Sequence, residues 1–262
     1  MVVNNKMLYV GKSDIGKQRS ENQDNFITLK LCENIVLCVI CDGLGGVNGG
    51  KIASELAIAA FVDYSKDTFA PYINTVTDVF NYNAMLFDGF DVGEILVKAT
   101  EIANTTLRQR GAFERKLAGM GTTLIAALFI DDFLYIANVG DSRLYILNEN
   151  NFAQITHDHS FSQYLVDIGK LTPEEAIYNP NRNRLLRAVG AESTVETDIY
   201  KLDFISGTVL MCSDGLYNFV EINDFIQNIE NDSLEDVADK MIEEANFNGG
   251  GDNITVILVK KV

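Results

Sequence analysis

Four aspartates stand where apolar runs stop. Asp42 follows Ile35 to Cys41, Asp141 follows Leu134 to Gly140, Asp214 follows the run Val209 to Cys212, and Asp252 precedes Ile254 to Val259. Each run has the length and β-branched content of a buried strand. A carboxylate at the end of such a strand is costly to desolvate unless it is paired or holds a cation. The four are read as one oxygen-lined metal site. With oxygen ligands, and no Cys or His at the strand ends, Mg²⁺ or Mn²⁺ is favoured over Zn²⁺.

Taken singly, each motif has a plainer reading. Asp42-Gly43-Leu44-Gly45-Gly46 and Ser213-Asp214-Gly215 serve equally as glycine turns. Gly140-Asp141-Ser142-Arg143 serves as a turn closed by an Asp141–Arg143 ion pair. Gly249-Gly250-Gly251-Asp252-Asn253 places an acid before a strand, and its three glycines point to a close backbone approach. Arg19-Ser20-Glu21-Asn22-Gln23-Asp24 carries an arginine whose planar fork suits two phosphate oxygens, or which lies on the surface. His157 and His159 flank Asp158. Two apart on a strand they share a face, which suits zinc or proton transfer, or mere placement near the site entrance.

These residues need elements to position them. Strands are expected at 6–13, 24–31 and 34–42, then a helix at 52–64. Residues 66–93 mix Phe69, Tyr72, Phe80, Tyr82, Phe87 and Phe90 with polar residues and read as a partly helical surface insertion. A helix Glu94 to Lys116 has an apolar stripe at Ile95, Ala99, Ile102 and Ala103. Four short strands fill 121–155, with hairpin turns at Asp131-Asp132 and 148–151. Residues 157–192 are polar. Strands at 195–202, 208–213 and 253–260 enclose acidic helices at 221–245. Consecutive strands on short turns pair antiparallel, and helices in two blocks make an α+β fold. With no linker or repeat, and a last strand two residues from the end, one domain over 1–262 is expected.

Composition excludes several functions. The 262 residues hold 37 acids against 21 bases, a net charge of −16, with no basic block. Binding a phosphate backbone requires clustered Lys and Arg, so neither nucleic acid nor an anionic membrane is the expected partner. No apolar run reaches the ~20 residues that span a bilayer, and Met1 to Tyr9 lacks the apolar core of a signal peptide. Cys32, Cys38, Cys41 and Cys212 all lie in apolar surroundings. Cys38 and Cys41 are three apart on one strand and so face opposite ways. They read as buried thiols of a reducing cytoplasm, rather than a metal or disulfide pair.

In order, Arg19 to Asp24, Asp42-Gly43-x-Gly45-Gly46, Gly121-Thr122-Thr123, Gly140-Asp141-Ser142-Arg143, Ser213-Asp214-Gly215 and Gly251-Asp252-Asn253-Ile254-Thr255 resemble the metal-dependent protein phosphatase family of the 2C type, in its compact bacterial form. The match runs from about residue 9 to 260. The resemblance implies a four-layer αββα sandwich, two antiparallel sheets flanked by helices. It implies two Mn²⁺ or Mg²⁺ ions, with a third, weaker position. Asp42 then bridges two ions, the Gly43 carbonyl completes one shell, and Asp214 and Asp252 hold the other ion. Asp141 with Asp214 matches the third position. Arg19 matches the phosphate-binding arginine, and Asp24 the acid that supports the site through water. Residues 158–190 take the place of the family's mobile flap, where Arg182, Arg184 and Arg187 either steer a phosphorylated loop or lie solvated. Two departures stand out. Leu44 replaces a histidine proposed as general acid in many eukaryotic members, and Gln23 replaces a glutamate. The proton donor is left unassigned.

The activity implied is hydrolysis of phosphoserine and phosphothreonine in proteins by direct attack of a metal-activated water. The catalytic residues would be Arg19, Asp42 and Asp214, in a monomer whose partners are targets of Ser/Thr kinases. Two alternatives stay open. One is a metal hydrolase of small phosphomonoesters or phosphodiesters, and the other a non-catalytic phosphoprotein-binding module.

Overall fold

The computed structural model describes residues 7–32, 34–74, 91–148 and 151–262. Eleven strands form two antiparallel sheets among these residues. One sheet has the order β1 (Met7–Asp14), β11 (Ile254–Lys261), β10 (Gly207–Cys212), β7 (Arg143–Asn148) and β8 (Asn151–Gln154). The other runs β2 (Asp24–Cys32), β3 (Ile35–Leu44), β5 (Leu124–Ile130), β6 (Phe133–Val139) and β9 (Asp198–Asp203). A two-residue strand, β4 (Gly121–Thr122), extends the latter sheet beside the end of β3.

Strand alternation divides the core into three layers. On β3, Val36, Cys38 and Ile40 face the other sheet and meet Met211, Ile257 and Val259. Ile35, Leu37, Val39 and Cys41 face outward, under the helices. Cys38 and Cys41 thus lie on opposite faces, as period-two geometry requires. No disulfide joins the cysteines. Burial pushes the Cys38 thiol up to about 12 and raises Cys41 and Cys212 further still.

Two long helices cover the second sheet. α1 (Gly46–Asn74) buries Ala53, Ala57, Phe61, Ser65 and Phe69, a stripe of one residue every four that fits the helical period. α2 (Val92–Phe113) starts at Asp91, whose carboxylate accepts from the amides of Gly93 and Glu94. That is the N-cap role Asp favours. Over the first sheet lies α7 (Leu234–Phe247), burying Val237, Ala238, Met241 and Ala245. Its acidic residues Glu235, Asp236, Asp239, Glu243 and Glu244 occupy the solvated side or its margins. The four-layer αββα sandwich is therefore the observed architecture.

Several boundaries differ from expectation. The first helix begins at Gly46 and runs to Asn74, so 66–74 continue it instead of starting an insertion. Phe69 is fully buried, not on the surface, because it completes the stripe of α1. Residues 75–90 of the expected insertion, and 149–150 of the expected turn, lie outside the described residues. The region 121–155 holds five strands, the extra one being β4. Residues 195–197 precede β9 and do not pair within it. Among the described residues no helix is long and apolar enough to cross a membrane.

Candidate metal centre

The strands that build the core also deliver the carboxylates. On β3 the inward series Val36, Cys38, Ile40 continues to Asp42, so Asp42 projects at the mouth between the sheets. Asp24 begins β2 and pairs in register with Asp42. Asp214 opens the single-turn helix α5 (Asp214–Tyr217) at the end of β10. Asp252 stands two residues before β11, and Asp141 between β6 and β7. Asp42, Asp141, Asp214 and Asp252 all line one cleft of about 610 Å³, together with Arg19, Gly43 and Leu44. The scattered strand ends of the sequence do converge.

Asp24 sits just behind them and ties the two sheets together. Its Oδ2 accepts hydrogen bonds from Ser213 Oγ and Thr255 Oγ1, both at 2.7 Å and both from the other sheet. Its Oδ1 is buried and has no hydrogen-bond partner, and the same holds for Asp214 Oδ1. Unpaired buried carboxylate oxygens are expensive, and they are what a cation or its water shell would satisfy.

Electrostatics tell the same story. Burial, against the hydrogen bonds from Thr255 and Ser213, raises Asp24 to about 7, and the Asp214 and Asp252 charges add to the rise. Burial first, then Asp252, raises Asp214 to about 6. Burial and neighbouring aspartates push Asp42 and Asp141 well above the ordinary carboxylate range. Crowded carboxylates that hold protons in this way fit a site made for divalent ions. Among the described residues, no group of three or more acidic, His or Cys side chains is drawn together closely enough to hold a metal ion. Hard cations such as Mg²⁺ keep several waters and need few direct protein ligands, so an open ring of carboxylates suits them.

The supporting contacts come from other residues of the same motifs. The Asp42 amide donates to Thr123 Oγ1 at 2.9 Å, and Thr123 Oγ1 meets Ser142 Oγ at 2.8 Å beside Asp141. Arg19 reaches Asp252 Oδ2 at 2.8 Å while its side chain stays 52% exposed, so it can still offer donors to the cleft. Asn253 Nδ2 donates to the carbonyls of Ile15 and Glu21, and Asn253 Oδ1 accepts from the Gln23 amide. The Arg19 loop and the Asp252 loop are thereby one unit.

The glycines serve chain-to-chain fit. A Cβ on Gly43 would sit 2.1 Å from the Gly50 carbonyl oxygen and 2.7 Å from that of Gln23. At Gly249 and Gly250, φ is +129° and +51°, and a Cβ on Gly250 would strike Lys17. The close approach expected of the three glycines is thus met by the Arg19 loop at Gly250 and by the Phe219 ring at Gly251.

Behind Asp141 the structure differs from the expected ion pair. Arg143 turns away and holds Asp158 through Nη2–Oδ2 at 2.7 Å and Nε–Oδ2 at 3.0 Å. Its guanidinium stacks on Tyr217, 3.6 Å from the ring centroid, and Tyr217 Oη donates to the Asp141 carbonyl at 3.1 Å. The pairing follows from position, because Asp158 is buried and Arg143 answers its charge.

The two histidines are not on a strand and do not act as a pair. His157 meets Asp167 at 2.9 Å near the surface. His159 Nδ1 accepts from the Gly140 amide at 3.1 Å, so the neutral ring carries its proton on Nε2, facing Asp198 at 3.1 Å. Neither lines the cleft. In the flap, Arg187 pairs with Asp198 at 2.7 Å and with Glu196 at 2.8 Å, and Arg184 lies over the Phe161 ring. Both are engaged within the protein. Arg182 is exposed and donates to the Ile177 carbonyl at 2.8 Å.

Residues 10–249 match the family model described as protein phosphatase 2C. The serine/threonine phosphatase stp of Listeria welshimeri is 37% identical, with 95% of this chain and 94% of that protein aligned. The crystal structure of the Mycobacterium tuberculosis serine/threonine phosphatase PstP/Ppp superposes with a TM-score of 0.81 at 32% identity, covering 97% of this chain and 98% of that one. A structure of the PstP catalytic domain in complex with two manganese ions gives 0.79 at 31% identity, covering 98% of each.

Proposed function

The chain belongs to the protein phosphatase 2C family, and on that premise we propose that it is a divalent-metal-dependent serine/threonine protein phosphatase. The observation that carries the reading is the single cleft in which Arg19, Asp42, Asp141, Asp214 and Asp252 meet, beside two buried carboxylate oxygens without partners. Asp42, the Gly43 carbonyl, Asp214 and Asp252 would hold two Mn²⁺ or Mg²⁺ ions, with Asp24 in support. Asp141 with Asp214 would form a third position. When bound, the ions supply Lewis acidity and an activated water nucleophile.

The protein's own groups orient the substrate. Arg19, steadied by Asp252, offers its remaining N–H donors to the phosphoryl oxygens. Asp24 is fixed by Ser213 and Thr255, and its free oxygen accepts from solvent held in the cleft. Asp141 is fixed by Tyr217 at its carbonyl. The cleft contains no Cys or His among the described residues, and the buried thiols lie far above neutral titration. A covalent phosphocysteine or phosphohistidine route therefore has no nucleophile there. Leu44 lines the cleft where a donor would be useful. The leaving serine or threonine oxygen accordingly takes its proton from solvent or from a protonated carboxyl.

We read residues 1–262 as one catalytic domain, a monomer working in a reducing cytoplasm. Its partners are phosphoproteins made by Ser/Thr kinases, with no role for nucleic acid or membrane. The strongly acidic balance supports that choice. The test is turnover of phosphothreonine peptides with Mn²⁺ and with chelator, beside nucleotides and nucleic acid. Metal-dependent release of phosphate from the peptides is expected. Preference for nucleotides or nucleic acid, or phosphopeptide binding without turnover, would defeat the reading.

A further inference from the structure

Beside the metal cleft the molecule holds a second cavity of about 440 Å³. Asp141 and Asn183 line both, so the two adjoin. One wall is the flap, through Val166 of α3 (Phe161–Asp167) and Ala176 and Ile177 of α4 (Pro173–Ile177). The opposite wall is Val220 and Ile222, and Tyr217 closes the floor. The charge of Asp158 at the base is already answered by Arg143 at 2.7 Å. The two walls are apolar and the base and rim are polar, where Arg182 donates to the Ile177 carbonyl at 2.8 Å and Glu221 accepts from the Asn223 side-chain amide at 2.8 Å.

One polar atom stands out. Ser162 lines the same cavity, is 5% exposed, and its Oγ has no hydrogen-bond partner. A buried hydroxyl without a partner costs free energy, and here the adjoining space can supply one. Two apolar walls facing each other beside one unsatisfied hydroxyl match a side chain arriving on a polypeptide, whose backbone brings polar groups with it. An extended chain advances about 3.3 Å per residue. With the cavities abutting at Asp141, the occupant lies within a few residues of the phosphorylated one.

We propose that this cavity is a substrate subsite that takes a large aliphatic or aromatic side chain flanking the phosphoserine or phosphothreonine. The inference rests on the reading of the cleft as a protein phosphatase centre and names the class of phosphoprotein segment it prefers. Arg182, which also lines the recess, puts a cation beside the segment that flanks the phosphorylated residue.

The test uses the full chain with Mn²⁺ and phosphothreonine peptides of otherwise alanine flanks, with a single Leu, or a single Asp, moved through the positions on either side. Leu is expected to exceed Ala by about tenfold in kcat/KM at one or two positions, the scale of burying one large aliphatic side chain. Ala176→Trp, which fills the recess, and Ile177→Asp, which charges its wall, are expected to bring that ratio to about one. Turnover of para-nitrophenyl phosphate, too small to reach the recess, should stay within about twofold. Should Ala176→Trp lose that small-substrate turnover, Ile177→Asp, at a position 58% exposed, decides the matter. The proposal is overturned if no position distinguishes Leu from Ala, if Asp is preferred throughout, or if the Leu preference survives Ile177→Asp. Peptide turnover without any flank preference overturns this inference alone. Absence of all metal-dependent turnover overturns the phosphatase reading with it.

Discussion

The metal cleft and the cavity beside it share a wall yet are built on opposite plans. The cleft takes its carboxylates from the ends of buried strands, where Asp24, Asp141 and Asp214 are each under a tenth exposed. The neighbouring cavity takes its outer wall from two short helices, five and seven residues long, whose side chains are mostly half-buried or exposed. One is held by the packing of the whole sandwich, and the other by a few local contacts. Chemistry that depends on placing charges within a fraction of an ångström belongs on the first kind of support. Recognition that must accept different polypeptides tolerates the second.

The difference can be broken or sharpened by substitution. The largest effect is expected at Asp42→Ala and Asp214→Ala. Each should lower kcat by about a thousandfold or more, the scale of removing a group that answers transition-state charge, while circular dichroism stays native. Near-normal turnover of a folded, metal-loaded Asp214→Ala would remove the carboxylate ring from the mechanism. Next comes Arg19→Ala. Loss of a charge-assisted contact to phosphate should cost about 10- to 100-fold in kcat/KM. Arg19→Lys should recover only part, since an ammonium cannot grip two oxygens at once; full recovery would make Arg19 a simple counter-charge.

The strand-end carboxylates also set a pH signature. An unfolded aspartate titrates near 3.9, whereas Asp24 is raised to about 7 and Asp214 to about 6 in the fold. Between those values the folded protein binds more protons, so this part of its stability is present at low pH and lost as pH rises through 6 to 7. His159 opposes, because burial lowers it and its contribution fades as pH falls below about 6.5. Four raised carboxylates against one imidazole favour the first trend. Metal-free protein should melt higher at pH 5.5 than at pH 8, on the order of 5 °C, and Mn²⁺ at pH 8 should restore the difference. A melting temperature that only falls on acidification over this range would mean the aspartates do not crowd.

The smallest effect is expected in the flap. Thr172 caps α4, with its Oγ1 accepting from the Glu175 amide and Glu175 reaching back to the Thr172 amide. Thr172→Ala should cost about 1 kcal/mol, read as faster hydrogen exchange within 173–177. Turnover of para-nitrophenyl phosphate should not change. A large loss of that turnover would show that the flap is part of the chemical framework after all.

The same contrast explains what could be read from the residues alone. Asp42, Asp214 and Asp252 were legible because a carboxylate beside a strand-length apolar run is costly and therefore conspicuous. The opposite faces of Cys38 and Cys41 followed from period two. The role of Ser213 and Thr255 was not legible, since a hydroxyl near a strand end is ordinary until the partner sheet brings Asp24 to it. The Arg143–Asp158 pair was missed for a related reason. Asp141 is nearer in sequence, and only the burial of Asp158 decides the competition. The shared-face reading of His157 and His159 fails because they lie in an irregular segment where the flap begins, and alternation does not apply there. The second cavity had no signature at all. Its walls come from separate stretches around 143–166, 173–183 and 217–223, each made of common residues.

The sealed thiols carry a consequence for the cell. Cys38, Cys41 and Cys212 are wholly enclosed and remain protonated at neutral pH, so peroxide and alkylating agents find no thiolate among them. A dephosphorylating enzyme whose cleft holds no thiol would go on erasing kinase marks during an oxidant burst, when phosphatases that rely on a reactive cysteine fall silent.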